Sequence, residues 1–353
     1  MKIKVLHISP DFNYSCGVSK YIYSLLNIFN NDDNYEMHFI TNGGNSLERL
    51  KDLNVKVSIM KFETGLKNFL YYYSNKNYLN KYIRENKINL IHTHHRYPEF
   101  LAYRLSLKND IKTITTAHSI VKKYKNISFK SERIIAVSET VKKNILQNFN
   151  IDENKIEVLY NFPFFKPLSN GISKSDLGIE NKKVLLYIGR MLKDKGVDIL
   201  LRSFNDLKGK YNLSLVLIGS KMDKDISKLY QSDKKNILFL GEIEDVASYY
   251  KLSDVVILPT LNEPFGLTMV EAGYFNKPFI GSNSGGISEF ITSNKEGLLF
   301  KKGDVHELSL KIETLLNDSV LSSKIANNLH NKVLNNLSID KYYQSLTYIY
   351  KNL

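Results

Sequence analysis

Short apolar runs alternate with longer stretches of helical spacing along almost the whole chain, and this alternation constrains the fold more than any other feature. Residues 18–29 and 66–84 repeat apolar side chains every three or four positions, as amphipathic helices do. The short runs of the second half are almost continuously apolar, as strands buried on both faces are. Strands that alternate with helices predict parallel sheets with crossover helices, and therefore an α/β fold.

The strand candidates fall into two series with a seam between them. The first series comprises residues 3–8, 36–40, 55–59, 89–92, 113–117, 134–137 and 156–159. The second comprises residues 184–188, 213–218, 237–240, 255–258 and 278–280. Residues 161–181 hold two of the seven prolines among Ser, Asn and Gly, a composition typical of a linker.

Two series of strands predict two domains, which the length of 353 residues also allows. We expect an N-terminal Rossmann-like domain at 1–168, a C-terminal Rossmann-like domain at 169–335, and a C-terminal helix within 336–353 that packs back on the N-terminal domain. The runs after Asp304 predict three helices, the last at 339–352. Open α/β sheets bind ligands at the carboxyl ends of their strands, so we expect two doubly wound domains facing a central cleft.

The composition excludes several classes of protein. The chain is 43% hydrophobic and 12% aromatic, too apolar for a disordered protein. Its single cysteine, Cys16, excludes an intramolecular disulfide framework and a cysteine-rich zinc site. The first apolar run is short and interrupted by His7, unlike a signal peptide, and no window approaches 18 uninterrupted apolar residues. We therefore expect a cytoplasmic protein, either free or peripheral on the inner face of the plasma membrane.

Residues 187–196 place two cations on a predicted loop between a strand and a helix. The strand candidate ends next to Gly189, and Arg190 and Lys195 follow before the helix begins. Glycine permits close approach of the backbone to a ligand, and two cations at a strand end suit a diphosphate. The spacing is not that of a Walker A loop. A solvated turn is the alternative interpretation of this segment taken alone.

Glu263 and Glu271 form a second motif, but they do not share one face of a helix. Eight helical steps of about 100° bring the second side chain about 80° away from the first. We place Glu263 on the loop after strand candidate 255–258 and Glu271 within the next helix, with Gly266 shaping the turn. The amide groups at the start of that helix would favour an anion. For an isolated pair, exposed carboxylates at a helix end would be the favoured interpretation.

Three other strand ends carry residues that suit a ligand. Gly285 and Gly286 run into a predicted helix and form an anion-friendly turn. Gly17 lies between the first strand candidate and the first helical stretch, where backbone amides could approach a ligand. His118 follows strand candidate 113–117, at the position from which site residues of α/β sheets project. A structural or merely exposed histidine is the alternative for His118.

His92, His94 and His95 end another strand candidate, and three neighbouring histidines suggest a metal site. Alternation along a strand should spread these side chains over both faces of the sheet. No carboxylate at ligand spacing accompanies them. We therefore expect no metal here.

Three motifs of the C-terminal half carry a resemblance to a known family. They are Gly189-Arg190…Lys195-Gly196, Glu263-Pro264-Phe265-Gly266-Leu267…Glu271-Ala272, and Gly273…Lys277-Pro278…Ser284-Gly285-Gly286…Glu289…Gly297. Together they resemble the retaining GT-B glycosyltransferases of family 4, or glycosyl transferases group 1. The resemblance covers roughly residues 183–300, and the pair of glutamates is its most specific part. In the N-terminal half it rests on Pro10…Gly17, the strand before His118, and Ser138.

The resemblance implies a nucleotide-sugar donor on the C-terminal domain and an acceptor on the N-terminal domain. Arg190 and Lys195 would neutralise the donor diphosphate and so stabilise the departing nucleoside diphosphate. Glu271 would accept hydrogen bonds from the ribose hydroxyls, and Glu263 would hold hydroxyls of the transferred sugar. His118 would contact that sugar near its reacting carbon. The resemblance thus gives catalytic roles to His118, Glu263, Arg190 and Lys195.

The remaining donor-binding positions are implied in the same way. Ile243 would meet the base through its backbone, and the amides of Phe265, Gly266 and Leu267 would approach the sugar or phosphate. Gly17 and Gly189 complete the implied donor-binding set. The family also implies retention of the anomeric configuration by front-face attack, in which a donor phosphate oxygen receives the acceptor proton.

The resemblance implies no cofactor and no divalent metal. Residues 223–225 are therefore not interpreted as the metal-binding DxD of the other glycosyltransferase fold. We expect hexosyl transfer from a UDP- or GDP-linked sugar to a glycan or lipid-linked glycan acceptor in bacterial surface polysaccharide biosynthesis. The alternatives are a GT-B epimerase or phosphorylase and, in another class, a non-enzymatic basic binding protein.

The formal net charge of +13 favours an anionic partner. Residues 1–168 hold 25 Lys and Arg against 15 Asp and Glu, whereas the remainder holds 24 against 21. The excess thus lies with the expected acceptor domain, which includes Lys122-Lys123-Tyr124-Lys125 and the three tyrosines 71–73. Basic and aromatic residues together suit an anionic membrane surface or a lipid-diphosphate acceptor. We expect no nucleic-acid partner.

Overall fold

The structure is a computed structural model that describes residues 2–63, 65–165, 171–220, 222–231 and 235–353. The chain divides into two compact units, Met1–Tyr160 with Asp340–Leu353, and Asn161–Ile339. The expected boundary between residues 168 and 169 falls outside the described residues. Each unit is an α/β unit built on its own parallel sheet.

In the described residues, the first unit holds a seven-stranded sheet in the order β3-β2-β1-β4-β5-β6-β7. Its strands are β1 (Ile3–Ile8), β2 (Tyr35–Thr41), β3 (Val55–Ile59), β4 (Leu90–Thr93), β5 (Lys112–Ala117), β6 (Arg133–Ala136) and β7 (Ile156–Val158). Its helices are α1 (Gly17–Ile28), α2 (Tyr72–Asn86), α3 (Arg96–Ser106) and α4 (Glu139–Asn148). All the pairings are parallel, and His7 of β1 lies in register with His92 of β4.

The second unit repeats the arrangement, with six parallel strands in its described part in the order β10-β9-β8-β11-β12-β13. They are β8 (Lys183–Ile188), β9 (Leu213–Ile218), β10 (Ile237–Phe239), β11 (Val255–Leu258), β12 (Phe279–Ser282) and β13 (Leu298–Phe300). Its helices are α5 (Val197–Leu207), α6 (Lys224–Gln231), α7 (Ala247–Leu252), α8 (Leu267–Tyr274), α9 (Gly285–Phe290), α10 (Val305–Asn317) and α11 (Ser319–Asn336), and α12 (Ile339–Lys351) returns to the first unit. The predicted fold class, α/β with two doubly wound Rossmann-like sheets, is confirmed.

Local chemistry explains several helix starts. Ser138 caps α4 by accepting a hydrogen bond from the Val141 amide, and Asp304 and Asp318 do the same at α10 and α11. The last helix, α12, buries Tyr342, Leu346 and Tyr350, and all but its first residue belong to the first unit. Among the described residues, none of the helices combines the length and the apolar character that a membrane crossing requires.

The structure differs from the prediction at two elements. Residues 66–84 were expected to form one helix, but a 3-10 helix (Gly65–Tyr71) precedes α2. The Asn68 side chain explains the tighter turn, because it bonds both the amide and the carbonyl of Glu63, at 2.9 and 2.5 Å. Strand β13 was not predicted, since a three-residue run carries almost no periodicity.

Candidate functional site

The strand order of the second unit reverses between β8 and β11, which are neighbours in the sheet. Ligands of open α/β sheets bind at such a switch point, beyond the carboxyl ends of the strands. Strand β8 ends at Ile188 and β11 at Leu258. The loop that the sequence predicts to bind phosphate, residues 189–196, is called the phosphate loop below. It and the loop that carries Glu263 therefore leave neighbouring strands at the same edge of the sheet.

The loop after β8 is shaped by Gly189 and Tyr187. A Cβ atom at Gly189 would lie 2.7 Å from the Tyr187 hydroxyl. That hydroxyl instead donates a hydrogen bond to the carbonyl of Arg190 at 2.8 Å, and burial raises the pKa of Tyr187 well above its usual value. The Arg190 guanidinium lies 3.9 Å from Asp194 and its side chain is 43% exposed. The backbone of Arg190 is thus fixed while its charge stays accessible to a ligand.

Gly196 brings this loop against the neighbouring one. Its φ is +68°, and an added Cβ would lie 2.0 Å from the Pro259 carbonyl oxygen. Close by, the Leu261 amide donates to the Asp194 carbonyl at 3.0 Å. Only glycine fits such a position without moving the backbone. The loops after β8 and β11 are therefore held together by main-chain contacts.

Lys195 and Glu263 meet where these two loops touch. The Lys195 Nζ atom lies 3.0 Å from Glu263 Oε2, and the two side chains are only 20% and 12% exposed. The Glu263 carbonyl accepts a hydrogen bond from the Gly286 amide at 2.9 Å, and a Cβ at Gly285 would come within 2.1 Å of it. The double glycine after β12 is thus part of the same site. These two glycines hold the backbone of Glu263, and with it the position of the Glu263 carboxylate.

The turn into α8 continues the site on the other side of Glu263. Gly266 has a φ of +102° and precedes Leu267, the first residue of α8, while the Phe265 side chain is buried. The Thr268 hydroxyl donates to the carbonyl of Ile188 at 3.2 Å, which ties this helix start to the end of β8. The start of α8 therefore lies beside the phosphate loop, as an anion site requires.

Glu271 has different surroundings from Glu263. It lies within α8, as the sequence predicted, but is only 4% exposed. Its Oε2 accepts a hydrogen bond of 2.6 Å from the Tyr250 hydroxyl, and burial together with the Glu271 charge raises the pKa of Tyr250 well above its usual value. No pattern in the sequence indicated the tyrosine partner, which lies 21 residues away on α7.

Ile243 lies further along the same edge of the sheet. It is half-buried on the loop after β10, and β9 separates that strand from β8. The Gly219 amide donates to the Gly241 carbonyl at 2.7 Å, and an added Cβ at Gly219 would lie 1.9 Å from the Gly189 carbonyl oxygen. A continuous series of loop contacts thus runs from the phosphate loop toward Ile243.

In the first unit, the strand order reverses between β1 and β4, and two of the predicted residues lie beyond strand ends near this point, one after β1 and one after β5. Gly17 is the exposed first residue of α1, after the loop that leaves β1. His118 directly follows β5 and is partly exposed, with the Tyr21 ring centroid 4.8 Å from its own. Burial lowers the pKa of His118 to about 3, so the ring is neutral at ordinary pH.

The structure corrects the expectation for the neighbouring histidines. His92 and His94 do not spread over two faces: their ring centroids are 4.6 Å apart, and His7 stands beside them at 5.0 and 5.4 Å. Residues two apart on a strand share a face, and the register of β1 with β4 adds His7. This grouping was missed, although adjacent parallel strands were expected.

One nitrogen of each of His7, His92 and His94 lies within 4.8 Å of the others, so a metal must be considered. Both nitrogens of His92 already have partners, the Tyr350 hydroxyl and the Thr116 hydroxyl, each at 2.7 Å. All three rings are buried, and no carboxylate belongs to the group among the described residues. A dication would lose these hydrogen bonds and gain no anionic ligand, so the donor set fits a hydrogen-bonded network better than a metal.

Two family models match the chain. Glycosyl transferases group 1 matches residues 171–332, and Glycosyltransferase Family 4 matches residues 16–162. The capsular polysaccharide biosynthesis glycosyltransferase CapM of Staphylococcus aureus is 32% identical over 62% of this chain and 60% of CapM. The N,N'-diacetylbacillosaminyl-diphospho-undecaprenol alpha-1,3-N-acetylgalactosaminyltransferase of Campylobacter jejuni is 25% identical over 87% of this chain and 89% of that protein. The chain thus spans only about three fifths of the length of CapM.

Solved structures share the fold at lower identity. Anabaena Alr3699/HepE, crystallised in complex with UDP-glucose, has a TM-score of 0.85 at 17% identity and covers 99% of this chain and 100% of that one. A glycosyltransferase from Rickettsia africae has a TM-score of 0.78 at 22% identity, with 99% and 98% covered. With the family models matching both units, the chain belongs to the GT-B glycosyltransferases of family 4, glycosyl transferases group 1.

Proposed function

We propose that the protein is a retaining hexosyltransferase that moves a sugar from a UDP- or GDP-linked donor to a glycan or lipid-linked glycan acceptor in bacterial surface polysaccharide biosynthesis. The observation that carries the proposal is the contact of 3.0 Å between Lys195 Nζ and Glu263 Oε2 at the switch point of the second sheet. A nucleotide-sugar needs a cation for its diphosphate next to an acceptor group for its sugar hydroxyls. This pair supplies both.

In this proposal the diphosphate is held by side-chain cations and main-chain amides. Arg190 and Lys195 neutralise the phosphate oxygens, and the amides around Gly266 and Leu267 complete the anion site. As the bond between the anomeric carbon and the phosphate oxygen breaks, negative charge grows on the leaving diphosphate. Preorganised cations stabilise that charge without reorganisation, which is how such a site accelerates transfer. The site then needs no divalent metal and no cofactor.

The transfer itself keeps the configuration of the anomeric carbon. The acceptor hydroxyl attacks from the face that the diphosphate leaves, and its proton passes to the departing phosphate oxygen. Glu263 holds hydroxyls of the transferred sugar, and Glu271 those of the ribose. On the first unit, we assign to His118 a contact with the transferred sugar near its reacting carbon. Ile243 meets the base through its backbone.

A phosphorylated or diphosphate-linked acceptor is supported by a basic loop of the first unit. Residues 119–132 follow His118 and carry Lys122, Lys123 and Lys125. The buried Glu99 carboxylate anchors this loop by accepting hydrogen bonds from three consecutive amides, at 2.8, 2.6 and 3.2 Å. Arg96 adds a hydrogen bond to the Lys123 carbonyl at 3.2 Å. A cationic loop that follows His118 and is anchored at its far end suits an acceptor phosphate, and the Campylobacter relative is named for an acceptor linked to diphospho-undecaprenol.

We also propose that the first unit attaches to the inner face of the plasma membrane. Leu70 and Tyr73 are 82% and 77% exposed, and Ile59 is 56% exposed on the neighbouring β3. Lys61 and Lys67 are exposed in the same stretch of chain. Exposed apolar side chains among lysines suit an anionic lipid surface, where the apolar groups insert and the cations pair with headgroups.

A ligand screen followed by a transfer assay tests the function. Thermal unfolding is measured with UDP, GDP, CDP and ADP, each with and without EDTA, because a ligand that binds only the folded state raises its stability. The nucleotide that stabilises the protein in EDTA then identifies the sugar donors for transfer to lipid-diphosphate glycans. We expect Arg190→Ala and Glu263→Ala to abolish transfer with the fold intact.

The product decides between the alternatives. Retention at the anomeric carbon, read by NMR of the purified product, supports the proposal, whereas inversion contradicts the mechanism. An isomerised sugar formed without acceptor would indicate an epimerase, and phosphate-dependent cleavage a phosphorylase. Unchanged turnover in both variants, or salt-sensitive binding to DNA or RNA without nucleotide binding, would overturn the enzymatic assignment.

A further inference from the structure

Three histidine rings of the first unit form a hydrogen-bonded row from the surface into the core. His118 Nε2 lies 3.3 Å from His94 Nδ1, and His94 Nε2 lies 3.1 Å from His7 Nδ1. His118 is partly exposed, His94 is 2% exposed and His7 is fully buried. The candidate catalytic ring is therefore the outer member of a buried chain.

The two ends of this row differ. His7 Nε2 is buried and has no hydrogen-bond partner in the described parts of the chain. At the other end, His118 Nδ1 makes no hydrogen bond to any described residue, but its ring reaches the surface. The inner end is closed to water, whereas the outer end remains available to a ligand.

All three rings are neutral near pH 7. Burial lowers the pKa of His7 and of His118 to about 3, and that of His94 well below its usual value. A neutral imidazole donates from one nitrogen and accepts at the other. Once the protonated nitrogen of one ring is chosen, the hydrogen bonds determine the protonated nitrogen of the other two. The row therefore has two possible directions: all the N–H groups donate outward, toward His118, or all donate inward, toward His7.

The buried end selects the direction. If His118 donated to His94 and His94 to His7, an N–H group on His7 Nε2 would be buried without a partner, the rarer and more costly of the two unsatisfied states. We propose that the row runs outward: His7 donates to His94, and His94 donates to His118. His118 then accepts at Nε2 and carries its proton on Nδ1, where it faces a ligand.

This direction decides what His118 does. An Nδ1–H group is a hydrogen-bond donor for a sugar oxygen and cannot accept a proton from the acceptor hydroxyl. His118 would thus position and polarise the sugar, leaving the proton to the phosphate oxygen. His7 and His94 touch no substrate and are positioning residues. The use of this donor in transfer rests on the proposed function, but the direction of the row does not.

The neighbouring residues frame the row without entering it. Tyr21 packs edge-on against both His94 and His118, at 5.7 and 4.8 Å between centroids. Its hydroxyl lies 2.5 Å from that of Tyr342, and burial raises the pKa of Tyr21 to about 12. The charge of His95, if protonated, would lower the pKa of His118 further. No carboxylate hydrogen-bonds to His7, His94 or His118 in the described residues, so nothing there draws the protons inward.

Nitrogen NMR of the full-length protein reads the direction directly. Long-range ¹H–¹⁵N correlations of ¹⁵N-histidine protein at pH 7.5 in EDTA distinguish Nδ1–H from Nε2–H rings, and His118→Gln assigns the His118 signal. We expect the Nδ1–H form of His118 in the unmodified protein. The Nε2–H form would overturn the proposal, as would a tightly bound metal in protein purified without EDTA. Neither the tautomer measurement nor the metal measurement requires a sugar. A failure of this proposal can therefore be distinguished from a failure of the proposed function.

Two variants of His7 test the role of the row. His7→Asn keeps a donor near the position of Nδ1, whereas His7→Leu removes it. We expect His118 to keep its tautomer in His7→Asn and to become a mixture in His7→Leu. If the protein transfers sugar, we expect kcat to fall about tenfold in His7→Leu, because the variant loses the free energy of about one neutral hydrogen bond. The KM for the donor should stay unchanged, and His7→Asn should restore kcat. An unchanged tautomer in a folded His7→Leu variant would overturn the proposal.

Discussion

The Lys195 ammonium and the Glu263 carboxylate form an ion pair of 3.0 Å between the loops that follow β8 and β11. Both side chains are more than three quarters buried, so the pair is not an ordinary surface contact. Each group still has unused hydrogen-bonding capacity, because an ammonium has three donors and a carboxylate two oxygens. A phosphate oxygen and a sugar hydroxyl can therefore join the pair without breaking it.

Replacing Lys195 by Ala should weaken nucleoside diphosphate binding by about 10- to 100-fold, because a hydrogen bond to a charged group contributes roughly 1.5–3 kcal/mol. Titration calorimetry with the nucleotide identified by thermal shift measures the change. Lys193→Ala is the matched control, since Lys193 is in the same 3-10 turn but pairs with Asp225 at 2.6 Å. Equal losses in both variants would mean that general charge, rather than the Lys195 site, holds the diphosphate.

Gly196→Ala should destabilise the second unit and weaken nucleotide binding together. The substitution demands a positive φ of a residue with a Cβ, at a cost of about 1–2 kcal/mol, and the Cβ would also meet the Pro259 carbonyl at 2.0 Å. Gly178→Ala is the control, because Gly178 has a similar φ of +65° with nothing within 4 Å. Urea unfolding should show the larger loss for Gly196→Ala. Equal losses would show that the contact between the loops is not rigid.

The sheets and their functional edges were predictable for one physical reason. Strands buried on both faces, such as β9 with all six residues buried, are almost continuously apolar, so they stand out from amphipathic helices. Parallel strands then bring every loop that follows a strand to the same edge of its sheet. The placement of Arg190, Glu263 and His118 beyond strand ends followed from this geometry.

Side-chain partners were not predictable in the same way. That Tyr250 reaches Glu271 depends on how α7 packs against α8, and no periodicity reports this. The histidine row needed the register that pairs His7 with His92, which a one-residue slip would turn to the other face. Pairing partners and register are tertiary properties, so the sequence indicated His92, His94 and His118 as candidates without showing that they meet His7.

Tyr250→Phe should lower the stability of the protein and weaken nucleotide binding at the Glu271 side. The variant removes a 2.6 Å hydrogen bond to a buried carboxylate, with an expected loss of about 1.5–3 kcal/mol in the free energy of unfolding. Tyr249→Phe is the control: this neighbour is 4% exposed, but its hydroxyl makes no hydrogen bond within the described residues. A similar loss in both would assign the effect to packing rather than to Glu271.

Stability should fall as the pH is lowered from neutrality toward 5. The pKa of His7 is about 3 in the folded state against 6.5 when exposed, and that of His118 shifts likewise. Between these values the unfolded chain binds more protons than the folded one, so this stability is complete above about pH 7 and is lost progressively below 6.5. Each such ring contributes up to about 1.4 kcal/mol per pH unit.

Urea unfolding at pH 7.5, 6.5, 5.5 and 5.0 measures this slope through the transition of the first unit. His7→Asn should reduce this slope by up to about 1.4 kcal/mol per pH unit, the contribution of one proton, because one buried imidazole is lost. An unchanged slope in His7→Asn would mean that His7 becomes protonated in the folded protein and that the histidine cluster is accessible to water.

Attachment to an anionic membrane should depend on the exposed apolar residues of the first unit. Tyr73→Ser and Leu70→Ser each remove apolar surface that is more than three quarters exposed, and full insertion of such a side chain contributes about 1.5–3 kcal/mol.

In co-sedimentation with phosphatidylglycerol vesicles, we expect each of these two variants to bind about tenfold more weakly. Tyr348→Ser is the matched control, since Tyr348 is 66% exposed on α12 of the same unit but lies outside residues 59–73, which hold the exposed apolar side chains and lysines of the proposed membrane face. The cationic contribution should appear as weaker binding at high salt, because exposed charges are screened beyond about 10 Å at 0.1 M. Equal binding to neutral phosphatidylcholine vesicles at all salt concentrations, or equal losses in the Tyr73 and Tyr348 variants, would contradict a specific membrane face.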